Sequence, residues 1–317
     1  MKTKILAVAV LVLVVLGVAA SGCAVTSHAT QRSTIGTSRA TADMVKALES
    51  KAEDAVFVEV ETVASADWAV DRSGLINLKH PTAVAAGLVD GDEPIIIPFH
   101  VIRHPTKGTF IVDTGVETAM RTDPTKSALS ALVRSAMHME KVKVNQSLGE
   151  WLAAGNKLDG VFLTHLHADH IMGLPDVAPS VPVYTGPGEA SATSFMHIFV
   201  RGTTNAELDG KGPLNEWAFE KDASGSFDGV LDVFGDGSVW ALWLPGHTPG
   251  STAYLVRTKN GPVLFTGDAC HTRWGWEHHV EPGTFTADGP RSVVSFQNLQ
   301  KFVEAHPGID VRFGHQR

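Results

Sequence analysis

The chain has 317 residues, 44% of them hydrophobic, with 30 Gly and 16 Pro. That is ample for one large domain and too apolar for a disordered chain. A formal charge of −8 argues against a nucleic-acid or polybasic membrane-surface role, and two cysteines, Cys23 and Cys270, are too few for a disulfide framework.

Residues 1–22 carry Lys2 and Lys4 ahead of an apolar run from Ile5 to Ala20. The run is shorter than the ~20 residues a spanning helix needs, and basic residues before a short apolar core fit an export signal peptide. It ends Ala20-Ser21-Gly22-Cys23, which resembles the bacterial lipobox. That resemblance implies that Cys23 is lipidated and becomes the mature N-terminus of a cell-envelope lipoprotein, held on the outer membrane or on the outer face of the cytoplasmic membrane. Residues 23–42 are rich in Ser and Thr with no apolar period, and are expected to form a flexible tether ahead of a folded domain at 43–317.

Within that domain a short helix is expected at 43–54, and strands at 56–60, 95–102 and 109–112, where β-branched residues cluster. Pro98 predicts an edge or a bulge in the second of these strands. Leu129, Leu132, Val133, Ala136 and Met137 mark a helical face over 127–139, and a further helix is expected at 146–153. The apolar run Val161-Phe162-Leu163 reads as a strand. Residues 171–238 hold a Gly-rich polar part from 202 to 229, read in part as a lid or pocket wall. Strands are expected again at 239–243, 253–256 and 263–265, then a helix at 290–305 and a strand at 310–313. Together these elements predict a layered α/β fold.

Four of these strands end in residues that bind metals. His165, His167, Asp169 and His170 follow Leu163; His247 follows the strand at 239–243; Asp268 follows Phe265; His315 follows Phe313. In layered α/β folds the loops beyond the carboxyl ends of strands converge on one crevice. Five imidazoles and two carboxylates suit two divalent ions when one carboxylate bridges them. Zinc is expected for this N/O set, with iron, manganese or cobalt as alternatives.

The pattern His165-x-His167-x-Asp169-His170, followed by His247, Asp268 and His315, resembles the metallo-β-lactamase superfamily. So do Asp113-Thr114-Gly115, Gly246-His247-Thr248-Pro249-Gly250 and Thr266-Gly267-Asp268. The resemblance implies an αββα sandwich of two βα halves with the metals in a groove at one edge. It implies that His165, His167 and His247 hold one ion, that Asp169, His170 and His315 hold the other, and that Asp268 bridges them. Asp113 is read as a supporting carboxylate. The reaction so implied is hydrolysis by a hydroxide held between the metals, with Asp169 or Asp268 moving the proton.

Asp268 argues against a dedicated β-lactamase and toward the N-acyl-homoserine-lactone lactonases, so the expected substrate is a small lactone or ester. Those lactonases carry a tyrosine three residues after the bridging Asp, where this chain has His271, read as a catalytic hydrogen-bond donor. Trp274 and Trp276 are expected to wall the substrate pocket. The alternatives are a phosphodiester or phosphotriester hydrolase with the same site, a β-lactamase, or a non-catalytic metal-binding lipoprotein.

Overall fold

The structure is a computed structural model that describes residues 23–316, so the expected signal peptide at 1–22 lies outside the described residues. The chain runs through Cys23–Ala24 (β1), Thr30–Arg32 (β2), Thr37–Arg39 (β3), Thr41–Glu49 (α1), Glu59–Asp71 (β4), Arg72–Leu75 (α2), Pro81–Ala85 (α3), Asp92–His104 (β5) and Gly108–Val112 (β6). It continues through Ala119–Thr122 (α4), Ala131–Ala136 (α5), Lys143–Val144 (β7), Leu148–Ala153 (α6), Gly160–Phe162 (β8), Ala168–Ile171 (α7), Val183–Thr185 (β9), Thr193–Ser194 (β10) and His197–Glu207 (α8). The last elements are Leu214–Glu216 (β11), Gly229–Asp232 (β12), Val239–Trp243 (β13), Thr252–Thr258 (β14), Gly261–Phe265 (β15), Arg273–Glu277 (α9), Gly289–Ala305 (α10) and Asp310–Arg312 (β16).

Eight strands form one sheet, in the order β2-β11-β9-β8-β6-β5-β4-β7, and six form a second, β16-β15-β14-β13-β12-β3. Side chains alternate across each sheet, so each strand feeds two layers. Ile111, Val161 and Leu163 pack outward with Leu148 and Trp151 of α6. Phe110, Val112 and Phe162 face inward and meet Ala241, Tyr254, Val256 and Phe265 of the second sheet. On the far side, Leu242, Leu255 and Leu264 pack against Leu299 and Phe302 of α10 and Met44 of α1. The result is the expected αββα sandwich, a mixed α/β fold with its main core between the sheets.

Pro98 lies where the sequence places an irregularity. It pairs with Ala64, and the register of β4 against β5 shifts between Ala64 and Ala66, leaving Ser65 as the extra residue. The freed Ser65 hydroxyl donates to the Gln146 carbonyl and accepts from the Val116 amide.

One expectation is corrected. Residues 23–42 are not a flexible tether. β1 pairs with β10, β2 lies parallel to β11 at the edge of the first sheet, and β3 lies antiparallel to β12 at the edge of the second. Edge strands with exposed faces need no apolar period, and threonine suits them, so a Ser/Thr-rich edge reads as a linker. Part of the segment 202–229 is regular structure. It contains the end of α8, and β11 sits inside the sheet between β2 and β9. Among the described residues, no helix is long and apolar enough to cross a membrane.

Candidate metal centre

β6 and β8 run parallel, β15 and β16 run parallel, and β13 is antiparallel to β14, itself antiparallel to β15. Every strand that precedes a metal-binding residue type therefore ends at the same edge of its sheet. Tyr254 crosses between the sheets there. Its hydroxyl donates to the Leu163 carbonyl and accepts from Trp217 Nε1. Two residues before Tyr254, the Thr252 amide donates to the Thr164 carbonyl. These contacts fix the loop at 164–170 against the second sheet.

All seven expected ligands come together in two groups. His165, His167, His247 and Asp268 form one, and Asp169, His170 and His315 form the other, with the donor atoms in each group within 4.8 Å of one another. Asp268 stands between them. Its Oδ2 lies 3.3 Å from His247 Nε2, 3.4 Å from His170 Nε2 and 3.7 Å from His165 Nε2, while its Oδ1 lies 3.3 Å from His315 Nε2. His315, close to the chain end, is buried, its backbone amide bonded to His271 O and its Nδ1 to the Ile96 carbonyl. The terminal turn is thus part of the wall of the site.

The imidazoles are oriented from behind. His170 Nδ1 donates to Asp113 Oδ2 at 2.8 Å, and Asp113 also accepts from the Thr164 amide and hydroxyl. Asp113 takes up a left-handed backbone conformation, φ 57°, to do so. Such a carboxylate–imidazole pair fixes the tautomer and leaves Nε2 free for a ligand. The carbonyls of Leu75 and Ile96 do the same for His271 and His315, since a carbonyl only accepts and the proton must sit on Nδ1.

Burial, reinforced by crowding among the rings, holds His165 and His247 well below the usual imidazole range, and burial takes His167 down to about 4. Burial also opposes charge on His170 and His315, but nearby carboxylates, Asp268 foremost, outweigh it and raise both. Burial would raise Asp268, yet the surrounding imidazoles, His170 first, hold it well below the carboxylate range. Three neutral rings beside a fixed anion are ready to bind a cation, and the protons on His170 and His315 would have to leave first.

The donor set suits metal ions. His165 Nε2, His170 Nε2, His271 Nε2 and Asp268 Oδ1 are buried without a hydrogen-bond partner. Buried polar atoms are rarely left unpaired, and here several converge on one space, which two cations would satisfy.

His271 is buried with Nε2 3.1 Å from Asp268 Oδ2. Since Nδ1 carries the proton, the neutral ring presents a lone pair to the cluster and can donate there only as imidazolium. The expected role as a hydrogen-bond donor therefore needs the charged form. Trp276 is half-buried and packs edge-on to Phe296 and against Phe313 beside α10. Trp274 stacks on His278 and shares an apolar cluster with Ala168 and Val200, beside the loop.

The sequence carried no signal for Glu189. It is buried and ties the Leu166 amide to the Gly250 amide, bracing the first motif against the turn that carries His247. Glu207 is also buried, and neither of its carboxyl oxygens has a partner. Cys23 and Cys270 are both free, and Cys270 is buried.

The family model for the metallo-beta-lactamase superfamily matches residues 94–284, which takes in every ligand type above except His315. The N-acyl homoserine lactonase AttM of Agrobacterium fabrum is 30% identical over 227 residues, covering 71% of this chain and 83% of that protein. Among solved structures, a quorum-quenching N-acyl homoserine lactone lactonase superposes with a TM-score of 0.58 at 20% identity, covering 83% of this chain and 93% of that one. The dizinc quorum-quenching lactonase AidC, in complex with a product, N-hexanoyl-L-homoserine, gives 0.52 at 13% identity, covering 82% and 87%.

Proposed function

The chain belongs to the metallo-β-lactamase superfamily, as a hydrolase homologous to N-acyl homoserine lactonases, and from that premise we propose that it hydrolyses a lactone at a dinuclear metal centre. The observation that carries this is Asp268, within 3.1–3.7 Å of five imidazoles, between two groups of donors.

His165, His167 and His247 would hold one ion, Asp169, His170 and His315 the other, and Asp268 both. The imidazole and carboxylate set favours zinc. Two divalent ions, when bound, supply Lewis acidity toward the attacked carbonyl and bring the pKa of water toward neutrality. The chain's own part is to hold the ligands and move the proton. Asp113 and Thr164 keep His170 in one tautomer, and the Leu75 and Ile96 carbonyls do so for His271 and His315. Asp169 is the more accessible carboxylate, its side chain 14% exposed against 5% for Asp268. It is therefore the one placed to take a proton from water and return it to the leaving alkoxide.

The lactone reading is supported by AttM and by the solved lactonases, whose named substrates and products are acyl homoserine derivatives. We further place the chain on the cell envelope, held at Cys23, on the strength of the basic and apolar residues that precede it. Labelled palmitate should enter the chain in cells and fail to enter Cys23→Ser.

The catalytic reading is tested by loading purified chain with defined zinc and assaying homoserine lactones, aryl esters, a phosphotriester and a β-lactam side by side. Lactones should give the highest kcat/KM. A preference for the phosphotriester, or no turnover of any, would refute it.

A further inference from the structure

Nine large hydrophobic side chains are notably exposed among the described residues, and four of them fall in one run of five: Phe195 at 57%, Met196 at 60%, Ile198 at 49% and Phe199 at 47%. Single exposed apolar residues are ordinary, but a concentrated cluster marks a contact surface. The two rings pack edge to face, 5.9 Å between centroids, so the cluster is preformed. α5 lies alongside, tied by the Ser130 amide to Thr203 Oγ1, and exposes Leu132 at 59%.

The place where the chain enters the fold identifies what covers this surface. Cys23 pairs with Ser194, the residue before Phe195, and its carbonyl accepts from His197 Nδ1 at 3.1 Å. Further on, the Val25 amide donates to the Ala192 carbonyl, and Thr26 and Ser27 bond to Asn205 on α8. No slack lies between Cys23 and the cluster. A membrane that held the chain at Cys23 would therefore lie close to residues 195–199.

Charge fits the same occupant. Although the chain carries 34 acidic residues and a net charge of −8, none of the acids falls in 190–206, 124–139 or 23–42, while Arg134 and Arg201 do. An anionic lipid surface would meet no carboxylate from these segments.

We propose that Phe195, Met196, Ile198 and Phe199 dock into the interface of the bilayer that holds the chain at Cys23. This rests on the envelope placement and is independent of the reaction at the metal centre. Tethering at Cys23 makes the second contact intramolecular, so modest apolar burial suffices to hold it. α8 also packs on α7, which carries Asp169 and His170, and Val200 shares an apolar cluster with Ala168. The docked face is thus a neighbour of the metal-binding loop.

The test uses the full chain reconstituted in vesicles of phosphatidylcholine and phosphatidylglycerol. Nitroxide labels are placed by Ile198→Cys or Phe199→Cys, with Val84→Cys, an exposed apolar position on α3, as reference. Cys270 is buried, and the unsubstituted chain supplies the labelling blank. At 198 and 199, accessibility to lipid-soluble oxygen should exceed accessibility to an aqueous nickel chelate, with the reverse at 84. Greater nickel accessibility at 198 and 199 overturns the proposal. So does low accessibility to both reagents, which would mean burial against a second copy, and so does failure of the chain to float with the vesicles.

Discussion

The loop after β8 supplies four ligand candidates within residues 165–170, whereas His247, Asp268 and His315 come one apiece from the ends of β13, β15 and β16. In the loop, spacing along the chain places the donors, and Asp113 and Thr164 orient them from one side. In the other half, the register of a six-stranded sheet places them, and backbone packing leaves little room. A Cβ at Gly314 would collide with Asp268 Oδ1 and the Gly267 carbonyl, and Gly267 itself packs on Thr164 at φ +50°. Loop-side changes should therefore act on metal affinity while sparing the fold, and changes that crowd the strand-side backbone should act on both.

The largest effect is expected at the residue that joins the halves. Asp268→Asn removes charge from a position facing five imidazoles. It should lower metal affinity by more than the ~10–100-fold that supporting partners cost, and abolish hydrolysis, with far-UV circular dichroism unchanged. A fully active variant would break the assigned mechanism.

Asp113→Asn sharpens the loop side. The carboxylate orients His170 without belonging to the ligand groups, so affinity for one ion should fall about 10–100-fold while far-UV circular dichroism is unchanged. Competition with a zinc chelator measures it.

Gly314→Ala is the strand-side counterpart. The added methyl must push against backbone as well as Asp268, so about 1–3 kcal/mol of stability should be lost together with metal affinity. Denaturant unfolding and chelator competition should move together. If affinity alone changed, the contrast between the halves would fail.

The smallest effect concerns Glu117, whose carboxyl is pushed up to about 7, chiefly by burial. The fold favours its protonated form. That contribution is fully present below the unfolded value near 4.5 and is lost as pH rises through about 7. Glu117→Gln should therefore match the parent at pH 4.5 and melt higher at pH 8.

The same contrast explains what was legible in the sequence. His165 to His170 is contiguous and follows an apolar run, so spacing alone exposed it. His247, Asp268 and His315 were readable because each follows a β-rich segment at its carboxyl end. The Leu75 and Ile96 carbonyls were not, since a backbone acceptor carries no side-chain signature. Nor was Glu189, whose partners Leu166 and Gly250 are brought to it only by the fold. Residues 23–42 misled because exposed edge strands and linkers share a Ser/Thr-rich composition. Net charge was a partial guide too: −8 describes the whole chain, while the segments around residues 195–199 contain no acid.

The most direct measurement is the metal content of the purified, zinc-saturated chain by mass spectrometry, beside Asp268→Asn. Two ions per chain, reduced in the variant, is the result predicted by a carboxylate shared between two donor groups. One ion per chain, or two retained by Asp268→Asn at unchanged affinity, would contradict it.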